Sequence, residues 1–122
     1  MIRGVRGATT AERDEPELVL EATRELLSAM LEQNGITDFE LISAVFFSTT
    51  RDLTSTFPAE AARALGMTTV PLMCFSEIDV PGRTPRAIRV MLQFHTDRRQ
   101  SEIRHVYLRE AVALRPDLSS AQ

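Results

Sequence analysis

Arg6, Cys74, Glu77, Arg89 and Tyr107 are the side chains of this 122-residue chain whose types and spacing could support chemistry. Cys74 and Glu77 lie at the end of one apolar run, Met73-Cys74-Phe75-Ser76-Glu77-Ile78-Asp79, and Arg89 sits inside the next. Val80-Pro81-Gly82-Arg83-Thr84-Pro85-Arg86, between them, has the prolines and glycine of a loop. Arginine offers a planar fork of donors matched to carboxylates. Arg6 and Arg89 together would therefore suit a small dianion, with Glu77 accepting from a hydroxyl. On composition alone a structural Arg–Glu pair is the more ordinary arrangement.

Other chemistries are narrower. No G-x-G-x-x-G, phosphate-loop, C-x-x-C or H-E-x-x-H motif occurs. Cys74, His95 and His105 match no metal-ligand spacing, so neither a metal nor any other cofactor is expected. A cysteine–histidine nucleophile is available by inventory, yet nothing marks Cys74 as activated, and a small buried thiol is the simpler role. All basic residues are arginine. Without lysine there can be no Schiff base and no phosphate-loop lysine.

Length and 43% hydrophobic content support a single core. The net charge of −3 gives no bulk attraction for nucleic acid. There is no apolar run of the roughly 20 residues that span a bilayer, and no secretory signal at the N-terminus. One cysteine excludes an intramolecular disulfide and fits a reducing compartment. No nucleic-acid or membrane partner and a cytoplasmic location are therefore expected.

The elements that must position these residues are readable in order. Ile2 to Thr10 has no helical period and ends in β-branched threonines, so it reads as a strand with Ile2, Gly4, Arg6 and Ala8 on one face. An arginine there fits an edge strand reaching solvent. Asp14-Glu15-Pro16-Glu17 reads as a helix start, with Asp14 as cap and Pro16 in the first turn. The helix should run to about Gln33, where Asn34-Gly35 supplies a left-handed stop. Its apolar residues, from Leu18 to Leu31, cover an arc of roughly 220°, wide enough for contact with a second surface. Leu41 to Ser48 reads as a strand that sets Ile42, Ala44 and Phe46 against Leu41, Val45 and Phe47. Both faces are apolar, so both need cover, by a layer that one helix cannot provide. Pro58 starts a short helix ended by Gly66, and Val70 to Cys74 is a short strand whose Pro71 suits an edge. Ala87 to His95 alternates most clearly, with Ile88, Val90, Leu92 and Phe94 opposing Arg89, Met91, Gln93 and His95. Ile103 to Leu114 is open between helix and strand. Residues 1–118 form the expected domain, and 119–122 a loose tail.

Taken together, Ile2-Arg3-Gly4-Val5-Arg6-Gly7-Ala8-Thr9-Thr10, Phe57-Pro58-Ala59, Val70-Pro71 with Cys74 and Glu77, Ile88-Arg89-Val90-Met91, Ile103-Arg104-His105-Val106-Tyr107-Leu108 and Leu114-Arg115-Pro116-Asp117-Leu118 closely resemble the monofunctional α/β-type chorismate mutases. The match extends in order over essentially the whole chain. The opening and the I-R-H-V-Y-L block are its specific parts, and the all-helical chorismate mutases are not resembled. The resemblance implies an α+β fold: a single-domain mixed sheet with one long and one short helix, assembling as a trimeric pseudo-α/β-barrel. It also implies isomerisation of chorismate to prephenate, in the biosynthesis of aromatic amino acids, at sites between subunits of a homotrimer.

That reaction is pericyclic and needs no nucleophile, metal or obligatory proton transfer. An enzyme helps by holding the reactive conformer and by stabilising charge on the ether oxygen, a contribution of ~3–4 kcal/mol from one positioned donor. By resemblance the catalytic residues are Arg89 beside that oxygen, Glu77 and Arg6. Arg6 and Tyr107 would hold the side-chain carboxylate, and Glu77 with Cys74 the ring hydroxyl. Phe57, Ala59, Leu72, Met73 and Leu114 would form apolar walls, Phe75 and Ser76 complete the binding stretch, and Arg63 and Arg115 stand near the mouth. The chain departs from the family in having Glu60 where lysine can follow Phe-Pro-Ala, and Met73 where a small polar residue precedes the cysteine. A non-catalytic trimeric binder of a carboxylate metabolite and an imine or enamine deaminase are the alternatives on a similar scaffold.

Overall fold

In the computed structural model, which describes residues 1–114, the strongly alternating segment is the middle strand of a five-stranded sheet. In chain order the strands are β1 (Ile2–Thr10), β2 (Ile42–Thr49), β3 (Leu72–Ser76), β4 (Ala87–His95) and β5 (Val106–Tyr107), arranged β3-β2-β4-β1-β5. β4 runs antiparallel to both β1 and β2, whereas β3 is parallel to β2 and β5 to β1, so the sheet is mixed. Ile88, Val90, Leu92 and Phe94 of β4 are each 2% exposed or less, which makes their face the core face.

Helix α1 (Pro16–Gln33) and the short α2 (Ala59–Ala64) cover that face, completing an α+β fold. Val19, Ala22, Thr23, Leu26, Leu27 and Met30 form the buried stripe of α1, while Leu20, Ala29 and Leu31 are half-buried at its margins against the same core. The wide apolar arc thus resolves into a narrow buried stripe with half-covered flanks. Gly35, at φ 63°, ends α1 in the left-handed conformation. Buried Asn34 then ties the helix end to the far segment: its amide donates to the Met30 and Arg104 carbonyls, and its oxygen accepts from the Arg104 N–H.

Three local expectations need correction. Asp14 does not cap α1. Glu15 holds the cap position without a side-chain bond, and the Asp14 carboxylate turns to a loop 40 residues away. β2 does not alternate strictly either, because a register shift between Ile42 and Ala44 puts Ile42 on the core face with Val45 and Phe47. Such a bulge adds one residue to the strand and reverses the facing of what precedes it. β1 is not an edge strand, since β4 flanks its whole length and β5 pairs with Gly7 and Ala8. The open segment near the C-terminus is strand β5 followed by a 3-10 helix, Arg109–Leu114. Pro71 does mark an edge, because β3 ends the sheet. No helix among the described residues is long and apolar enough to cross a membrane. Arg115 and the expected tail 119–122 lie outside the described residues.

The second face of the sheet has no layer over it among the described residues. Phe46, Phe75, Met73 and Met91 stand on it, with Met73 54%, Phe75 48% and Met91 37% exposed. The cover that the apolar strand β2 demands does not come from the described part of its own chain.

Helix and sheet approach closely at Gly7, where a Cβ would run into Met30 Sδ and lie 3.0 Å from Leu26 Cδ1. Gly7→Val should therefore destabilise the fold by about 2–3 kcal/mol, as overpacking does. Equilibrium urea unfolding would measure it, and an unchanged midpoint would show that α1 moves aside freely.

Candidate functional site

The uncovered face carries the residues of interest because cross-strand partners point the same way. Arg6 is paired with Met91 across β1 and β4, and Ser48 with Arg89 across β2 and β4. With Arg89 two residues from Met91, all four project from one face. Arg6, Arg89, Tyr107 and Phe75 accordingly line one open cavity of about 570 Å³, walled by Phe46, Ser48 and Met91. Arg6 and Arg89 come from adjoining strands, Phe75 from β3 and Tyr107 from short β5, which the hydrogen bond from the Leu108 N–H to the Ala8 carbonyl helps to hold on β1.

Next to it, sharing Ser48 and Arg89, is a second recess lined also by Ser76, Glu77 and Arg83. Glu77 follows the last residue of β3, and its backbone N–H donates to the Thr49 carbonyl, 2.9 Å away. Its carboxylate is nearly buried and contacts three groups. Ser48 Oγ donates to Oε1 at 2.9 Å, Arg89 Nε lies 3.2 Å from the same oxygen, and Arg83 Nη2 holds Oε2. One buried carboxylate thus faces two guanidinium groups, leaving a net positive charge beside the cavity. A carboxylate this buried requires such partners.

His105 supports Arg6 from the next strand end. Its Nδ1 accepts from the Arg6 backbone N–H at 2.9 Å. Burial and then the charge of Arg6 push the imidazole below its usual 6.5, consistent with a neutral ring accepting at Nδ1.

The remaining candidates are divided. Phe57, Cys74 and Ser76 line a third cavity of about 750 Å³, on the other side of the β3 edge, to which Phe75 also contributes. Cys74 is half-buried and packs toward the helical core, so it lines a different cavity from Glu77 although only three residues separate them. Leu72 is half-buried against the core, Ala59 is buried in α2, and exposed Arg63 is ion-paired with Glu60 at 2.9 Å. None of these three residues, and neither Met73 nor Leu114, lines any of the three cavities. Within one chain the expected residues that line a cavity fall into two groups rather than one site.

Ser48 and Arg83 are functional neighbours that sequence reasoning missed. Ser48 was within reach, since strand alternation places it beside Arg89 once the pairing of β2 with β4 is known. Arg83 lies in the Pro-Gly-Arg-Thr-Pro loop, where no periodicity indicates facing. That loop does more than join two strand ends. Among the described residues, no three His, Cys, Asp or Glu side chains gather in a way that could hold a metal ion.

The third cavity depends on Asp14, whose carboxylate accepts from the N–H groups of Thr54 and Ser55 at 3.1 Å and from Thr54 Oγ1 at 3.0 Å. Burial alone would raise its pKa, but these bonds outweigh burial and hold it below the usual 3.8. The resulting stabilisation is present above pH 3.8 and is lost as pH falls through the lower folded-state value. Asp14→Asn should reduce this acid dependence, at a cost on the order of 1 kcal/mol at neutral pH. Parallel urea titrations at pH 3 and pH 7 would check it. An equal loss at both values would overturn the ionic role.

Comparison with known proteins identifies the family. The family model described as chorismate mutase type I matches residues 2–118. The chorismate mutase AroH of Thermus thermophilus is 60% identical over 122 residues, covering 100% of both chains. That of Bacillus subtilis (strain 168) is 49% identical over 120 residues, covering 98% of this chain and 94% of the relative. A solved chorismate mutase from Clostridium thermocellum superposes with a TM-score of 0.88 at 42% identity, over 90% of this chain and 97% of that one. Matches of this extent and identity settle the relationship: the chain belongs to the chorismate mutase type I family.

Proposed function

We propose that this protein is an isomerase that converts chorismate to prephenate, in aromatic amino acid biosynthesis, at sites completed between copies of a cytoplasmic homotrimer. The observation that carries the proposal is the convergence of Arg6, Arg89 and Tyr107 on one cavity, beside the Glu77 carboxylate. Chorismate carries two carboxylates, a ring hydroxyl and the ether oxygen whose bond breaks. Arg6 and Tyr107 hold the side-chain carboxylate, and Glu77 accepts from the hydroxyl. Arg89 places its guanidinium at the ether oxygen, where negative charge grows as the carbon–oxygen bond lengthens. Donors fixed before that charge develops need no reorganisation, which is how such a site accelerates a reaction without forming a covalent intermediate.

The separation of Phe57 and Cys74 from Arg6 and Tyr107 supports a shared site. One copy would offer Arg6, Glu77, Arg89 and Tyr107. The Phe57 and Cys74 side of a neighbour would close it, with Phe75 and Ser76 at the seam. The uncovered apolar face supplies the surface through which copies would join.

Adding pure protein to chorismate should accelerate the loss of chorismate absorbance far above the uncatalysed rate. A rate no higher than background would refute the proposed activity.

A further inference from the structure

The loop between β3 and β4 sends one side chain back into the site. Arg83 is 22% exposed, and its Nη2 contacts Glu77 Oε2, whereas Ser48 and Arg89 share Oε1. Its Nε and Nη1 are shut off from solvent and donate to no group among the described residues. A guanidinium with two occluded donors keeps its place because its third nitrogen holds a buried carboxylate.

We propose that Arg83 is a positioning residue for the rearrangement: it binds Oε2 of Glu77, so that the Glu77 charge is divided between two guanidinium groups rather than neutralising Arg89 alone. This inference rests on the proposed role of Arg89 at the ether oxygen. The charge balance explains the need. Glu77 and Arg89 alone would form a neutral pair, and the guanidinium would be drawn to the carboxylate rather than to the reacting bond. With Arg83 the cluster carries one net positive charge, which can meet charge that develops only in the transition state. The effect of losing Arg83 should therefore fall on kcat more than on KM.

The test uses the full-length protein and four variants: Arg83→Met, Arg83→Lys, Glu77→Gln and the double variant Arg83→Met/Glu77→Gln. The parent is assayed first with chorismate, because an inactive parent would refute the proposed activity itself rather than the role of Arg83. In an active parent, Arg83→Met should lower kcat about tenfold, the size expected for one hydrogen bond to a charged group, while KM changes less than about threefold. Arg83→Lys should recover most of that loss. In the Glu77→Gln background Arg83→Met should have no further effect, since there is no carboxylate left to hold. Oligomer mass and the thermal midpoint, compared across the series, show whether each variant still folds. Parent-like kcat in Arg83→Met would overturn the proposal, and so would the same tenfold loss in the Glu77→Gln background. A uniform rise in KM that Arg83→Lys also relieves would overturn it too, because it would make Arg83 a direct binder of the substrate anion.

Discussion

Arg89→Ala should lower kcat by about a hundred- to a thousandfold, the range seen when one preorganised donor is removed from a developing oxyanion. KM should change less, because the interaction strengthens only as the ether bond breaks. The fold should survive for a reason visible in the geometry. Glu77, deprived of Arg89, still has Arg83 on Oε2 and Ser48 on Oε1, so no buried carboxylate is left alone. Arg89→Lys keeps the charge but loses the planar fork, and should fall between the two. Steady-state kinetics with chorismate would measure the series, alongside oligomer mass and unfolding midpoint. An Arg89→Ala protein with near-parent turnover would refute the role of the guanidinium at the ether oxygen.

How much of this site was legible in the sequence depends on whether each feature is local. β1 occupies the expected range, Ile2–Thr10, and α1 ends at Gln33 as expected but starts at Pro16, one residue later than an Asp14 cap implies, because alternation and Asn34-Gly35 are signals within the segment itself. The facing of Arg89 followed from alternation along β4, and that of Arg6 from alternation along β1. What the sequence lacked was pairing. β5 is two residues long and is a strand because Gly7 and Ala8 accept it as a parallel neighbour, a contact about 100 residues away. Asp14 looked like a helix cap for the same reason: its actual partners, Thr54 and Ser55, are 40 and 41 residues distant.

The bulge in β2 was hidden differently. A run that is apolar on both faces reads the same in either register, so nothing local shows that Ile42 joins Val45 and Phe47. The site was divided by a similar ambiguity. Cys74 and Glu77 are adjacent enough in sequence to suggest one pocket, but β3 ends at Ser76, and the alternation that turns Cys74 to the core does not govern Glu77. Family resemblance supplied the residue roles, which no periodicity could.

A charge placed on the uncovered sheet face should abolish assembly and activity together. Phe46 is the residue to replace. It lies on β2 opposite Met73 and Met91, with its ring 6.3 Å from that of Phe75, and it walls the cavity of Arg6 and Arg89, whose guanidinium groups an introduced carboxylate would also meet. Replacing the ring by a carboxylate removes apolar contact between copies and draws Arg6 or Arg89 away from the substrate, and a symmetric assembly incurs that cost at each copy. Phe46→Glu should therefore sediment as a monomer with retained secondary structure, and with chorismate turnover reduced at least a hundredfold. Because Phe46 also walls the Arg6 cavity, Ala44→Arg provides the control. Ala44 is on the same face, opposite Gln93, and lines none of the three cavities. If both variants are monomeric and inactive, the missing half of the site belongs to the neighbouring copy, as the proposed shared site predicts. A monomeric Ala44→Arg protein with parent activity would show instead that one chain closes the site alone.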